Sequence, residues 1–379
     1  MTDATTEDSP MGTHATLDGL LDFDVTTSTT AMADAERETI LANPGFGVHF
    51  TDHMVEITWT VGGGWHDATV RPYGPLQLDP ATSVLHYAQE IFEGLKAYRH
   101  EDGSIWTFRP EANARRMQRS ATRLALPPLP VEHFIESLRQ IIAVDGSWVP
   151  SAPETSLYLR PFMISTEAFL GVRSAHQVSF FVIASPAGAY FSHGVAPVSI
   201  WLSTKYSRAA KGGTGSAKTG GNYAASLLPQ AEAYEQGCDQ VLFLDAAEGK
   251  YIEELGGMNV VLVYKNGTLV TPASDSILEG ITRDSVLRLA RDKGHTVEER
   301  RVSIDEWRDG VASGDIAEIF ACGTAAVVTP IALLKGEGFE AGSADAAAGP
   351  LTMELRKELT DIQSGRAEDR HGWLTRLDG

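Results

Sequence analysis

The stretch Gly212-Gly213-Thr214-Gly215-Ser216-Ala217-Lys218-Thr219-Gly220-Gly221-Asn222-Tyr223 sets the tightest limit on how this chain can fold. Glycines adopt backbone conformations closed to other residues and let the main chain pass close to a ligand. A lysine embedded among them is either a phosphate clamp or a reactive amine. The pattern G-x-x-x-x-G-K-[ST] of a phosphate-binding loop is met from Gly212 to Thr219, except that Ala217 stands for the second glycine. Context speaks against that reading. Such a loop follows a buried strand directly and opens a helix. Here the apolar run 198–202 ends well upstream, and Lys205-Tyr206-Ser207-Arg208-Ala209-Ala210-Lys211 intervenes. Gly220 and Gly221 occupy what would be the first helical turn, which is costly. The next helix is expected at 223–234.

A chain of 379 residues can form about two domains of ordinary size. Its 43% hydrophobic and 21% charged residues fit a soluble globular protein. No apolar run approaches membrane-spanning length. The N-terminus lacks the basic-then-apolar layout of a secretory signal, so a cytoplasmic location is expected. The net charge of −19 argues against nucleic acid as a partner. That charge is uneven: residues 1–40 carry nine acidic groups against the single Arg37. With little apolar periodicity, residues 1–42 are expected to form an acidic, mobile segment. Cys238 and Cys322 make neither a disulfide framework nor a zinc set, and two buried thiols are expected.

Order is expected to begin near Asn43, where Asn43-Pro44-Gly45-Phe46-Gly47 reads as a turn. Strands follow at 54–61 and 68–72, then a helix-forming run near 87–93. A helix starts at Pro110 and is stopped by Pro127-Pro128. Within it Ala114, Met117, Ala121 and Leu124 form an apolar stripe, while Arg116, Arg119 and Arg123 share another face. A second amphipathic helix covers 131–144, and 157–164 and 178–183 read as strands. After the run 198–202 come strands at 240–245, 250–254 and 259–264. Asn266-Gly267 marks a hairpin turn, and 282–293 is a helix closed by Gly294. The pattern is mixed α and β. It divides into the segment 1–42, a small α/β domain at 43–184, a linker at 185–198 and a large domain at 199–379.

Pyridoxal phosphate needs a lysine to bond, an acid at its pyridine nitrogen, a donor to its phenolic oxygen, and amides or cations for its phosphate. Lys218 supplies an amine and Tyr223 a phenol. Glu254 ends a strand just before Gly256-Gly257, beside backbone that can lie close to a flat ring. Ile281 and Thr282 open a helix after Gly280, where free amides favour an anion. Gly323-Thr324-Ala325-Ala326 follows the apolar run 316–320 and offers a second turn of free amides. Each feature also has a plain structural explanation. Glu254 can be a solvated strand end, Thr282 a helix cap, and Arg116 part of a charged helix face. Taken alone, the residues leave the cofactor site and the phosphate clamp both open.

Nearly the whole chain beyond Asn43 resembles the branched-chain amino-acid aminotransferases, which are fold-type IV pyridoxal phosphate enzymes. The resemblance is carried by His86-Tyr87-Ala88-Gln89-Glu90-Ile91-Phe92-Glu93-Gly94-Leu95-Lys96-Ala97-Tyr98, Tyr158-Leu159-Arg160-Pro161, Lys218 through Tyr223, Glu254 through Asn259, Gly280 through Arg283, and Phe320 through Ala326. It implies a two-domain α/β (mixed α+β) architecture, with a smaller N-terminal domain, a larger barrel-like C-terminal domain and the cofactor between them. It further implies that Lys218 forms the Schiff base and shuttles the proton between Cα and the cofactor. Glu254 would pair with the pyridine nitrogen and Tyr223 with the phenolic oxygen. Arg116, the amides of Ile281 and Thr282, and Thr324 would hold the phosphate, with Arg208 nearby in support.

The same resemblance assigns the substrate site. Leucine, isoleucine, valine and their 2-oxo acids would lie against Phe46, Tyr87, Phe92, Tyr158 and Tyr190. The γ-carboxylate of glutamate or 2-oxoglutarate would meet Arg160, and the turn Thr324-Ala325-Ala326 would present amides to the α-carboxylate. Tyr158 and Arg160 are two apart on a strand and share a face. Tyr87 and the Leu170-Gly171-Val172 loop would reach into a neighbour's site, which implies a homodimer. Two departures stand out. Gly257 replaces a threonine found in many relatives beside the ring, and Ala326 and Thr329 replace a redox-sensitive C-x-x-C of some relatives. Thiol regulation of that kind is therefore not expected. A D-amino-acid aminotransferase or an aminodeoxychorismate lyase would share Lys218 and Glu254, and a P-loop-like nucleotide-binding protein is the more distant alternative.

Overall fold

The computed structural model describes residues 19–188 and 195–379. Its first sheet orders the strands Asp24–Val25, Gly64–Pro72, His53–Thr60, Gln177–Ala187, Ser156–Ser165, Leu95–Arg99, Ile105–Phe108 and Leu374–Arg376. The short strand Glu90–Phe92 also pairs with Ser156–Ser165. Alternation along Ser156–Ser165 decides what each face does. Leu157, Leu159 and Met163 enter one buried cluster with Ala114, Met117 and Ala121 of helix Pro110–Arg123 and with Phe134, Leu138 and Ile141 of helix Val131–Asp145. Tyr158, Arg160 and Phe162 take the opposite face.

The second sheet runs Ile252–Leu255, Gln240–Leu244, Val198–Ser203, Val327–Gly336, Ile316–Gly323, Asn259–Tyr264, Leu269–Pro272 and Val297–Arg300, with Phe339–Gly342 paired to Val327–Gly336. The unbroken apolar run in Asn259–Tyr264 follows from burial on both sides. Val260 and Leu262 pack with Trp307 and Ile319. Val261 and Val263 pack with Val286 and Leu289 of helix Ile281–Asp292 and with Leu355 and Leu359 of helix Pro350–Gln363. Both thiols are free and buried, and burial pushes Cys322 up to about 12.

Four expectations need correction. Residues 19–42 are docked rather than mobile. Asp24 and Val25 pair with Thr69 and Val70, Asp34–Ala42 is a helix, and Leu21, Phe23, Met32, Ile40 and Leu41 pack on the first cluster. The Ser28 amide donates to His53 Nε2 at 2.8 Å, and the Met32 amide to Asp52 Oδ1 at 2.8 Å. A few well-placed apolar residues suffice where a preformed sheet edge receives them. Residues 1–18 lie outside the described residues. Second, the run near 87–93 is not one helix. Helix Ser83–Tyr87 ends at Ala88, whose φ is 48°, and pairing with Ser156–Ser165 draws Glu90–Phe92 into a strand. Third, the helix expected at 223–234 is two helices, Gly220–Ala224 and Leu227–Glu235, and the first does begin at the two glycines. Fourth, strand Gln177–Ala187 runs past residue 184, and Leu374–Arg376 pairs with Ile105–Phe108, so the chain's end returns to the first sheet.

Candidate active site

Lys218 sits where the two sheets meet, and groups from both surround it. Its Nζ lies 2.7 Å from Tyr223 Oη and stacks 4.7 Å from the Phe92 ring centroid. Burial, helped by the Arg116 charge, lowers its pKa to about 8, so about a tenth of the amine is already free at pH 7, far more than for an ordinary lysine. Tyr223 moves the other way: burial, with Glu254 nearby, pushes its hydroxyl up to about 12. Phe92 and Tyr223 pack with ring centroids 4.9 Å apart, closing one side.

Helical spacing brings Asn113, Arg116 and Ser120 onto one buried face of Pro110–Arg123, turned toward Lys218. Ser120 Oγ accepts the Lys218 amide at 2.9 Å. Arg116 grips the fully buried Glu93 with Nε and Nη2, both at 2.8 Å, and Asn113 Nδ2 donates to the same carboxylate at 2.7 Å. Burial works to raise the Glu93 carboxyl, and Arg116 outweighs it, leaving it below its ordinary value. Arg116 Nη1 donates at 3.1 Å to the Glu279 carbonyl, next to Gly280, which caps helix Ile281–Asp292. Its guanidinium therefore stands at the helix end that carries the Ile281 and Thr282 amides, where no side chain caps them.

Glu254 is buried and ion-paired with Arg208, and it also accepts the Leu278 amide at 2.9 Å. Burial raises it to about 6 against the pull of Arg208. Arg208 further donates to the Gly215 and Ser276 carbonyls, both at 3.1 Å. The Thr324-Ala325-Ala326 turn leaves strand Ile316–Gly323 and re-enters at Val327, whose φ of 61° is unusual for a β-branched residue. Two cations grip it from behind. Lys96 Nζ donates to the Ala325 carbonyl at 2.9 Å, and Arg356 Nη1 to the Ala326 carbonyl at 3.3 Å. Burial and the Arg356 charge lower Lys96 to about 8.

The side-chain wall is assembled from distant segments. Phe46 meets Tyr158 edge-on at 5.3 Å, and Arg160 stacks over Phe92 at 4.8 Å and Tyr158 at 5.3 Å. Arg160 Nη2 donates to Tyr158 Oη at 3.1 Å. Gly94 is required here by close approach, because a Cβ would fall 2.0 Å from Tyr158 Oη. Tyr87 donates to the Leu170 carbonyl, and Tyr87, Leu170 and Val172 are all exposed, Val172 at 83%. Tyr190 lies outside the described residues. Sequence reasoning gave no role to Glu93, Lys96, Asn113, Ser120 or Glu90. The helical spacing of Asn113, Arg116 and Ser120 was a legible signal; the partners of the others were not.

These groups fit pyridoxal phosphate. Lys218 offers a buried, readily deprotonated amine, Glu254 a buried acceptor, Tyr223 a hydroxyl beside the amine, and Arg116 a cation at a helix N-terminus. Arg160 and Arg208 each keep a buried Nε with no partner among the described residues. No grouping of three or more His, Cys, Asp or Glu able to hold a metal occurs among the described residues.

Comparison with known proteins gives the family. The family described as amino-transferase class IV matches residues 90–334. A branched-chain-amino-acid aminotransferase of Mycolicibacterium smegmatis is 60% identical over 365 residues, covering 95% of this chain and 99% of the relative. Among solved structures, the Escherichia coli branched-chain amino acid aminotransferase superposes with a TM-score of 0.70 at 27% identity, covering 85% of this chain and 99% of that one. The branched-chain amino acid aminotransferase from Thermobaculum terrenum, in its PLP-bound holo-form, gives 0.67 at 26% identity, covering 85% and 98%. A family match that runs from residue 90 to residue 334 and 60% identity over 95% of the chain give the family: this chain belongs to the class IV amino-transferases.

Proposed function

We propose that this chain is a pyridoxal phosphate-dependent transaminase that moves the amino group between leucine, isoleucine or valine and 2-oxoglutarate. The observation that carries this reading is the buried Lys218 amine, lowered to about 8 and placed 2.7 Å from Tyr223 Oη. Full-length similarity to branched-chain-amino-acid aminotransferases supports the substrate class and disfavours the D-amino-acid aminotransferase, lyase and nucleotide-binding alternatives.

When bound, pyridoxal phosphate supplies the carbon that receives the amino group and a ring that stores the electron pair released at Cα. The protein does the rest. Lys218 Nζ would hold the cofactor covalently and would be the base placed to take the proton from the substrate Cα. Tyr223 keeps its own proton across neutral pH and can donate to the phenolic oxygen. Glu254, largely ionised above about pH 6, would accept a hydrogen bond from the ring N–H and so keep that nitrogen protonated. Arg116, the Ile281 and Thr282 amides and Thr324 would hold the phosphate, and Glu93 fixes the Arg116 guanidinium for that task. Arg208 keeps Glu254 in place.

Substrate binding follows from the wall. The amides of the Thr324-Ala325-Ala326 turn take the α-carboxylate, and Lys96 and Arg356 behind it strengthen the field. Phe46, Phe92 and Tyr158, with Tyr87, would accept a branched aliphatic side chain. Arg160 turns toward the γ-carboxylate of glutamate. The exposed Tyr87, Leu170 and Val172 support a homodimer in which each protomer completes its partner's site, and a cytoplasmic location belongs to the same reading.

Purified protein supplied with the cofactor should show a visible band, and borohydride should fix the label on Lys218. It should convert L-leucine and 2-oxoglutarate to 4-methyl-2-oxopentanoate and glutamate, and Lys218→Ala should abolish turnover. A label on Lys211, or turnover of D-alanine in preference to L-leucine, would overturn the reading.

A further inference from the structure

The strand Glu90–Phe92 has a second task besides walling the site. The Phe92 amide donates to the Lys218 carbonyl at 3.0 Å. Two residues earlier on the same face, the half-buried Glu90 uses Oε1 to accept the Thr219 hydroxyl at 3.1 Å and the Gly220 amide. With Ser120 accepting the Lys218 amide, the main chain at Lys218 is held at its amide, at its carbonyl and two residues further on.

This anchoring adds to the loop's other ties, Arg208 on the Gly215 carbonyl and Asn222 on the Thr214 and Ala217 carbonyls. Glycine-rich backbone loses the most entropy on ordering. Helix Gly220–Ala224 begins without a side-chain cap from Thr219, so its first amide takes an acceptor from another strand. A Cβ on residue 220 would lie 2.6 Å from Glu90 Oε1, so glycine there is what lets the carboxylate reach the amide.

We propose that Glu90 is a positioning residue for the reaction: through Gly220 and Thr219 it holds the Lys218 amine in its buried seat against Tyr223 and Phe92. This deepens the reading of Lys218 as the reactive amine and rests on it. The charged or titratable groups facing Lys218 are Arg116 and Glu93 from one side, Tyr158 and Arg160 from strand Ser156–Ser165, and Tyr223 and Glu254 from the second half. Glu90 attracts one of them, Arg160, so Glu90→Gln, which loses the same charge as Glu90→Ala but keeps the acceptor, separates exposure of Lys218 from the lost charge.

The test uses the full chain. Cofactor-free protein is acylated with acetic anhydride across pH, and the Lys218 peptide is quantified; the holoenzyme gives kcat and KM for leucine. In the wild type the midpoint lies near 8. Glu90→Ala should move it upward by about one unit or more as desolvation is relieved. It should also cut kcat by about ten- to a hundredfold with little change in KM. Glu90→Gln, whose amide oxygen can still accept from Gly220 and Thr219, should restore both. An unmoved midpoint in Glu90→Ala, a fall in thermal stability alone, or failure of Glu90→Gln to rescue would overturn the proposal. Should the alanine variant not fold, Glu90→Asp falls short of Gly220 by one methylene, and the same shift is expected; an unmoved midpoint there also refutes it. A borohydride label on another wild-type lysine would sink the Lys218 reading and this proposal together, whereas a Lys218 label with an unmoved midpoint removes Glu90 alone.

Discussion

Replacing Arg160 with leucine should separate the two substrates of this site. Arg160 makes one side-chain hydrogen bond, Nη2 to Tyr158 Oη at 3.1 Å, and rests on the Phe92 and Tyr158 rings. Its Nε is buried without a partner, and no carboxylate forms an ion pair with it among the described residues. The guanidinium is thus half-buried with capacity to spare, which suits a substrate carboxylate. Leucine at this position loses the Tyr158 contact, worth about 1 kcal/mol or roughly fivefold, and that loss falls on both half-reactions. The rings stay covered, because an aliphatic side chain replaces the stacked cation. Glutamate and 2-oxoglutarate lose a charge-assisted bond as well, a further 1.5–3 kcal/mol or so, about one to two decades. Single-turnover measurements of each half-reaction, followed by the cofactor spectrum, give the two specificity constants. The ratio for leucine over glutamate should rise about ten- to a hundredfold. Equal losses for both substrates, accompanied by a lower Tm, would mean that Arg160 only braces Tyr158, and would refute the assignment.

Four other outcomes are expected. Glu254→Gln should slow Cα deprotonation by about two to three orders of magnitude in single-turnover experiments. In the wild type, activity that depends on the ionised carboxylate should fall as pH drops through about 6, because burial has raised that group. Deleting residues 1–33 removes the packing of Leu21, Phe23 and Met32 and the anchors on His53 and Asp52. That should cost on the order of 2–4 kcal/mol and lower the Tm by several degrees in calorimetry; an unchanged Tm would mean the segment contributes nothing. Gly94→Ala should displace the Tyr158 ring at an overpacking cost of about 1–3 kcal/mol and raise KM for both substrates, while a wild-type KM would show that the ring can yield.

Signals that depend on residues close in the chain were readable. Lysine and tyrosine five apart in a glycine-rich turn do meet, Nζ to Oη. Strand alternation placed Tyr158 and Arg160 on one face, and the apolar stripe of Ala114, Met117 and Ala121 is the buried face of its helix. Where the reading failed, distant chain intervened. The run near 87–93 has helical composition, yet Glu90–Phe92 is a strand because Ser156–Ser165 offers it a ladder. The acidic start lacks periodicity, yet its residues 19–42 dock on an edge that only exists once Gly64–Pro72 has formed.

By itself, the sequence determined which residue types could do the chemistry and the local geometry of each: a reactive lysine in a flexible loop, a glutamate at a strand end, free amides at a helix start. These follow from covalent geometry and short-range periodicity, which act over a few residues. Only the tertiary structure decided how those groups are held and tuned. Glu93 holds Arg116, Ser120 holds Lys218 and Lys96 backs Ala325, across 23, 98 and 229 residues respectively. Lys218 and Glu254 shift toward neutrality because packing takes them out of water. Desolvation and long-range pairing are properties of the assembled fold, set by which surfaces bury one another, and no local pattern encodes them.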